Sequence, residues 1–185
     1  MILLRPAAAA DAASILAIYA PYVVASAVSF ELDPPSLKEM KARISSAEDQ
    51  YPWIVAVDAE SDVILGYAYA AAFRTRLAYR FAVETSIYIA GNFQGQGVGR
   101  ILYPALLRTL ETQGYTQAIA AITLPNDHSI KLHEGVGFRR AGVYREVGYK
   151  NSRWLDVGLW QRELDEPRIP PAEVKSFSSV GIVQR

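Results

Sequence analysis

Ser86-Ile87-Tyr88-Ile89-Ala90-Gly91-Asn92-Phe93-Gln94-Gly95-Gln96-Gly97-Val98-Gly99-Arg100-Ile101-Leu102-Tyr103 reads as a strand, a glycine loop and the opening turns of a helix. Ser86 to Ile89 alternates polar and apolar positions, and Gly95, Gly97 and Gly99 then fall at every second residue before an apolar helical run starts at Val98. Glycines let several consecutive N–H groups converge on one small volume, and the helix behind them leaves its first amides unpaired with a partial positive charge. That combination is a socket for phosphate oxygens. The same glycines also suit a plain strand-to-helix turn, so the loop alone leaves both readings open. No Lys-Ser or Lys-Thr follows it, and a G-x-G-x-x-G pattern would need a further glycine near Leu102, so the two best known phosphate signatures are excluded.

Outward from this stretch, 185 residues with 51% apolar and 21% charged content fit one soluble domain with a sizeable core. The expected domain spans 1–164, and the prolines and serines of 165–185 suggest a loosely held tail. Lys plus Arg equals Asp plus Glu at 19 each, so the broad cationic field of a nucleic-acid or anionic-membrane binder is missing. The chain has no cysteine, which excludes disulfides, thiolate metal sites and acyl transfer through a cysteine; with His128 and His133 as the two histidines, no metal is expected. Ala12 to Val28 is largely apolar, but Pro21 sits inside it, and Ile15, Ile18, Tyr19 and Tyr22 recur at the spacing of a helix with one buried face. No membrane segment is expected, and the expected compartment is the cytoplasm.

In order, the chain predicts a strand over Ile2 to Arg5, a helix from Asp11 to Ala25 and a capping-box helix from Ser36 to Ala47. A hairpin of Trp53 to Asp58 with Val63 to Phe73 follows, then the strand Phe81 to Ile89. The helix after the loop should run to Thr112 and stop at Gly114, with a bend at Pro104. Gln117 to Leu124 reads as a buried strand, Asp127 to Val136 as a short helix capped by Asn126, and Arg140 to Val147 and Trp154 to Leu164 as two last strands, with Leu155, Val157 and Leu159 on one side of the second. This order suits an α/β (α+β) fold with a mixed, mostly antiparallel central sheet, its parallel pair joined by the helix after the glycine loop.

Two motifs combine: Gln94-x-x-Gly97-x-Gly99, and Asn126-x-x-Ser129-x-x-Leu132-His133-Glu134-x-x-Gly137-Phe138. The pairing resembles the GNAT N-acetyltransferases, over roughly Ile2 to Leu164. Tyr51-Pro52-Trp53, Val83 to Tyr88, Leu124-Pro125-Asn126-Asp127, Gly148-Tyr149-Lys150 and Trp154-x-Asp156 to Arg162 narrow the resemblance to the phosphinothricin N-acetyltransferase branch. It implies the GNAT fold, with helices on both faces of the sheet, acetyl-CoA as cosubstrate, a small amino-acid-like acceptor and a homodimer. The amides of Gln94, Gly95, Gln96, Gly97, Val98, Gly99 and Arg100 are then expected at the diphosphate, and Ile87, Tyr88 and Ile89 along the pantetheine. Asn126 and Ser129 are expected on the cofactor side.

Glu84 is the base that the resemblance implies, since it stands at the position of the subfamily's proposed base. A carboxylate in an apolar strand must find a partner or shift its pKa, and a buried structural glutamate is the alternative. His133 shares a helix face with Asn126 and Ser129 by its i, i+3, i+7 spacing; the resemblance, in which a histidine takes the place of the catalytic tyrosine of many GNAT relatives, makes it the second expected catalytic residue, with a packing histidine as the alternative. Arg74 and Arg76, with Tyr79 behind them, can converge on one anion from an extended loop; a solvated basic loop is the other reading. Phe30 and Tyr103 are expected to line the same acceptor pocket. The expected reaction is acetyl transfer to the α-amine of a substrate of the phosphinothricin, methionine sulfone or methionine sulfoximine type. The alternatives are acetylation of protein N-termini or other amines, and a non-catalytic acyl-CoA sensor.

Overall fold

A computed structural model of the chain describes residues 1–47 and 49–184. Seven strands form one sheet in the order β1-β2-β3-β4-β5-β7-β6. They are β1 Ile2–Pro6, β2 Trp53–Asp58, β3 Ile64–Ala72, β4 Ala82–Ile89, β5 Gln117–Thr123, β6 Arg139–Lys150 and β7 Arg153–Glu163. Every neighbouring pair is antiparallel except β4 with β5, which the helix α3 (Val98–Gln113) connects. The mixed sheet expected from the element order is therefore present, with its parallel pair at the expected place.

Period-two alternation divides the sheet into two apolar faces. Val55, Val57, Trp53 and Tyr67 point to one side and pack with Ile15, Ile18, Tyr19 and Val23 of α1 (Ala12–Val24) and Met40 and Ile44 of α2 (Leu37–Ser45). Ile54, Ala56, Ala68, Ala70, Val83, Ala118, Ala120 and Ile122 point to the other side, under Leu102, Tyr103, Leu106 and Leu110 of α3. The short helix α4 (Asp127–Gly135) covers the same face through Ile130 and Leu132. Both helix starts expected from capping residues hold: Ser36 and Glu39 exchange a capping box at α2, and Asn126 accepts from the Ser129 amide at α4. Gly114 closes α3 at φ 102°, a conformation that favours glycine, and α3 runs through Pro104 as one helix. Among the described residues no helix is long and apolar enough to cross a membrane.

The last hairpin is longer than the sequence suggested. β6 continues to Lys150 and returns through Asn151 and Ser152, both at positive φ, the two-residue turn whose twist matches paired strands. A register shift between Tyr144 and Gly148 bends β6, with the Glu146 amide and the Arg145 guanidinium both on Asp156. On β7, Leu155 is buried but Val157 and Leu159 are only half-buried; Trp160, on the opposite side, joins the α3-side core, with the buried Gly158 against its ring.

The C-terminal tail is not loosely held along its whole length. Val174, Phe177 and Ile182 pack against the α3-side core, and α5 (Phe177–Val180) is capped by Ser176. The Phe177 amide donates to Asp49 O at 2.6 Å, and the buried Gln113 side chain donates to both Gln50 O and Lys175 O at 2.9 Å. Apolar residues spaced among the serines supply what composition concealed. Arg185, the last residue of the expected tail, lies outside the described residues. Truncating the partly buried Phe177 to alanine should cost about 1–2 kcal/mol of stability, somewhat less than full burial of such a ring is worth. Urea denaturation measures this directly; an unchanged midpoint would mean the tail adds nothing to the core.

Candidate active site

β4 and β5 are paired for only three residues, Ala82–Glu84 against Gln117–Ile119, although the strands run on to Ile89 and Thr123. Beyond that point they diverge, so the backbone of Ser86 to Ile89 has no strand on its β5 side. An extended amide-bearing ligand can complete such an edge as an added strand. Ile87, Tyr88 and Ile89, expected along the pantetheine, lie on this free stretch. The Ile89 carbonyl already accepts from Tyr22 at 2.5 Å.

The glycine loop sits at the far end of β4. Gly95 and Gly97 have φ of +74° and +85°, and Gly97 forms the N-terminal boundary of α3, with no side chain capping the first amides. Gly99 answers a different need: a Cβ there would lie 3.2 Å from Leu132 Cδ2, so the glycine lets α3 and α4 approach. The two expected glutamines are exposed, and their side-chain amides are already engaged by the protein. Gln94 donates to the Tyr22 hydroxyl at 2.8 Å and Gln96 to Asn92 O at 2.7 Å, so both side chains shape the loop, while Val98 is buried in the core and Arg100 is exposed. What the loop offers a ligand is chiefly its main-chain N–H groups.

Glu84 registers against Ala71 on β3 and Ile119 on β5. Since Val83 and Thr85 face α3, Glu84 faces the α1–α2 side, in line with Ser86 and Tyr88. Among the described residues no group hydrogen-bonds its carboxylate. Burial raises its pKa above the ordinary value, opposed by the charge of Arg74. A carboxylate held this way is a stronger base than a solvated one.

The same face holds a cavity of about 320 Å³. Tyr19, Arg43, Trp53, Tyr67 and Tyr69 form its walls, and Ala70 to Ala72, the β3 residues opposite Val83 to Thr85, reach its edge. Sequence reasoning named none of these as site residues. Tyr19 read as one of a helical apolar stripe and Arg43 simply fell within the expected helix from Ser36 to Ala47, and only tertiary packing brings them together. Of the expected acceptor residues, Arg74 and Arg76 are both exposed; Arg74 stacks its guanidinium 4.7 Å from the Phe73 ring centre and its charge acts on Glu84, whereas Arg76 stands at the start of the 3-10 turn Leu77–Tyr79. Tyr79 packs edge-on against Phe73. Phe30 lies between α1 and α2, where its ring sits on Gly148. Tyr103 does not share its pocket: fully buried beneath α3, its phenol is hydrogen-bonded to Thr85 Oγ1 at 2.8 Å on the opposite face of the sheet.

His133 lies on that opposite face too. It is 4% exposed and packs edge-on against Tyr103 and Phe138. Its Nδ1 is 2.7 Å from Ser129 O, which makes Nδ1 the protonated nitrogen and leaves Nε2 as an acceptor. Desolvation lowers its pKa, only partly countered by that bond, so the ring is neutral near pH 7. The helical spacing did place Ser129 and His133 together, with Ser129 Oγ 3.3 Å from Nδ1, but Asn126 Oδ1 is engaged as the helix cap.

Comparison with known proteins identifies the family. Residues 4–159 match the family described as Acetyltransferase (GNAT) domain. The chain is 39% identical over 177 residues to the phosphinothricin N-acetyltransferase of Streptomyces viridochromogenes, covering 96% of this chain and 95% of the relative. It is 37% identical over 169 residues to the L-methionine sulfoximine/L-methionine sulfone acetyltransferase of Pseudomonas aeruginosa, covering 91% and 98%. The crystal structure of a phosphinothricin acetyltransferase from Sinorhizobium meliloti in complex with acetyl-CoA superposes with a TM-score of 0.85 at 42% identity, over 89% of each chain. A β4 edge left free by its parallel neighbour, an uncapped glycine loop at its end and these relatives together make the chain an acetyl-CoA-dependent N-acetyltransferase of the GNAT family, phosphinothricin N-acetyltransferase-like.

Proposed function

We propose that the protein moves acetyl directly from acetyl-CoA to the α-amine of a small amino-acid-like substrate of the phosphinothricin, methionine sulfone or methionine sulfoximine type. The observation that carries this is Glu84: a carboxylate with a raised pKa, facing the same side as a cavity of small-molecule size and electrostatically coupled to Arg74. The names of the relatives support the acceptor class.

Acetyl-CoA supplies an activated thioester carbonyl and a thiolate leaving group. The free edge of Ile87 to Ile89 and the main-chain amides from Gln94 to Arg100 are the groups that would hold it, with an N–H of the β4 edge facing the charge that develops on the thioester oxygen. Glu84 takes a proton from the acceptor ammonium, directly or through a water, so that a neutral amine can attack. The charge of Arg74 opposes the rise in the Glu84 pKa and so favours the ionised carboxylate, and its guanidinium offers a contact for the acceptor's carboxylate. His133, neutral with an unprotonated Nε2, fits a polar wall beside the thioester better than a ready proton donor. A peptide N-terminus lacks the carboxylate next to its amine that Arg74 would meet, and an acyl-CoA sensor would gain nothing from an unpaired, partly desolvated glutamate.

Glu84→Gln should lower kcat by about 10²–10⁴ at neutral pH, the range that general bases supply, with partial recovery at high pH where free amine is abundant. Because the native pKa is raised, ionising Glu84 costs stability as pH climbs from the unfolded-state pKa through the native one; the same variant should therefore keep or gain thermal stability at pH 7. Full activity, or a loss of stability with activity intact, would make Glu84 a structural residue.

Arg74→Met should move the acid limb of the kcat/KM profile to higher pH, since the charge opposing desolvation of Glu84 is gone, while Arg76→Met should leave that limb in place. Identical profiles for all three enzymes would remove Arg74 from the site's electrostatics.

For His133→Phe, a loss in kcat of about tenfold or less is expected, below the usual contribution of a general acid, with the affinity for acetyl-CoA unchanged in calorimetry. A loss of a thousandfold with a shifted basic limb would restore the histidine to proton delivery.

A further inference from the structure

The Gly148-Tyr149-Lys150 triplet at the end of β6 has no part in the reaction as proposed. Lys150 is nevertheless buried, 6% exposed. Its Nζ donates to three main-chain carbonyls, Val23 O at 2.7 Å, Ser29 O at 2.7 Å and Glu31 O at 2.8 Å. An ammonium has three protons to give, and all three are used. The buried charge is thus solvated by carbonyl dipoles, one of them from the last turn of α1, where a helix presents partial negative charge.

The other two carbonyls belong to the segment that connects α1 to α2, and β6 grips it a second time. A side chain at Gly148 would overlap the Phe30 ring, so glycine is what allows that ring to seat against the strand. The side chains on either side of Phe30 point onward to the cavity. Ser29 Oγ shares a hydrogen bond of 2.7 Å with the Tyr19 hydroxyl, and Glu31 Oε1 accepts from Arg43 at 2.6 Å. Tyr19 and Arg43 are cavity walls.

We propose that Lys150 is a positioning residue for the acceptor: by fixing Ser29, Phe30 and Glu31 it sets Tyr19 and Arg43 in the cavity and so governs affinity for the amino-acid substrate. This rests on reading that cavity as the acceptor site. The lysine touches neither substrate nor reacting atoms. Its influence passes through two hydrogen-bonded relays, one ending on Tyr19 and the other on Arg43, both of which line the cavity.

Lys150→Met keeps a stem of similar length and removes the donors. The acceptor KM should rise about tenfold, with kcat and the acetyl-CoA KM within about twofold, the pattern of lost uniform binding on one substrate alone. Ser29→Ala leaves Lys150 in place and cuts the relay to Tyr19; it should raise the acceptor KM about threefold and combine with Lys150→Met less than multiplicatively. Hydrogen exchange of the amides from 26 to 33, read without turnover, should quicken in Lys150→Met while the sheet is unchanged. A folded Lys150→Met enzyme with wild-type acceptor KM overturns the proposal, as does an equal rise in both KM values or unchanged exchange in that segment. If Lys150→Met does not fold, a wild-type acceptor KM in Ser29→Ala overturns it alone. A wild-type enzyme that acetylates no amino acid would sink the acceptor reading instead, and the exchange experiment would then decide whether Lys150 holds the segment.

Discussion

The early parting of β4 from β5 is the constraint on which the rest of the structure depends. Two parallel neighbours normally pair for their common length, and here the hydrogen bonding stops after Glu84 and Ile119. Backbone N–H and C=O groups left at such an edge need partners from elsewhere. The fold can keep the strands apart because each is secured on its other side, β4 by seven residue pairs with β3 and β5 by seven with β7. Thr85 bridges the divide just past the last pair, its Oγ1 3.3 Å from Ile119 O while Tyr103 holds it from below. The wedge is therefore a built feature of the sheet and not a frayed end.

Glu84 stands at the apex of that wedge, where pairing ends. Its position explains why an ionisable group survives in an otherwise apolar strand: it is close enough to the opening to exchange protons, yet buried enough for its affinity for them to rise. The surrounding aromatic side chains keep the dielectric low. Trp53 stacks on Tyr69 at 4.2 Å, and Tyr67 on Tyr88 at 5.3 Å. Such an array of rings is stiff and walls the cavity on the Glu84 side of the sheet without offering the carboxylate a hydrogen bond.

Much of this was legible in the sequence because local rules act alone there. Capping residues gave the starts of α2 and α4, glycines at positive φ gave the ends of the loop and of α3, and element order gave the single parallel pair. What escaped was set by contacts between distant segments. Nothing near Tyr19, Arg43 or Trp53 signals that they enclose one cavity, and no pattern in β4 or β5 announces that pairing stops after three residues. Gly99 looked like a third phosphate-loop glycine, whereas its contact with Leu132 gives it a packing reason as well. The tail misled for a similar reason: Val174, Phe177 and Ile182 are too sparse to show a period, yet each finds a place on the core.

The central sheet also acts as a partition, with the cavity and Glu84 on its α1–α2 face and α4 and His133 on the other. The two faces are bound to separate apolar clusters, so substitutions that reshape the cavity leave the packing beneath α3 untouched. With the acceptor site as proposed above, such an arrangement gives an evolving lineage freedom to exchange one amine for another through changes in α2 and the segment before it, whereas α1, whose Tyr22 is bonded to Ile89 O and to Gln94, is tied to the acyl-donor side as well.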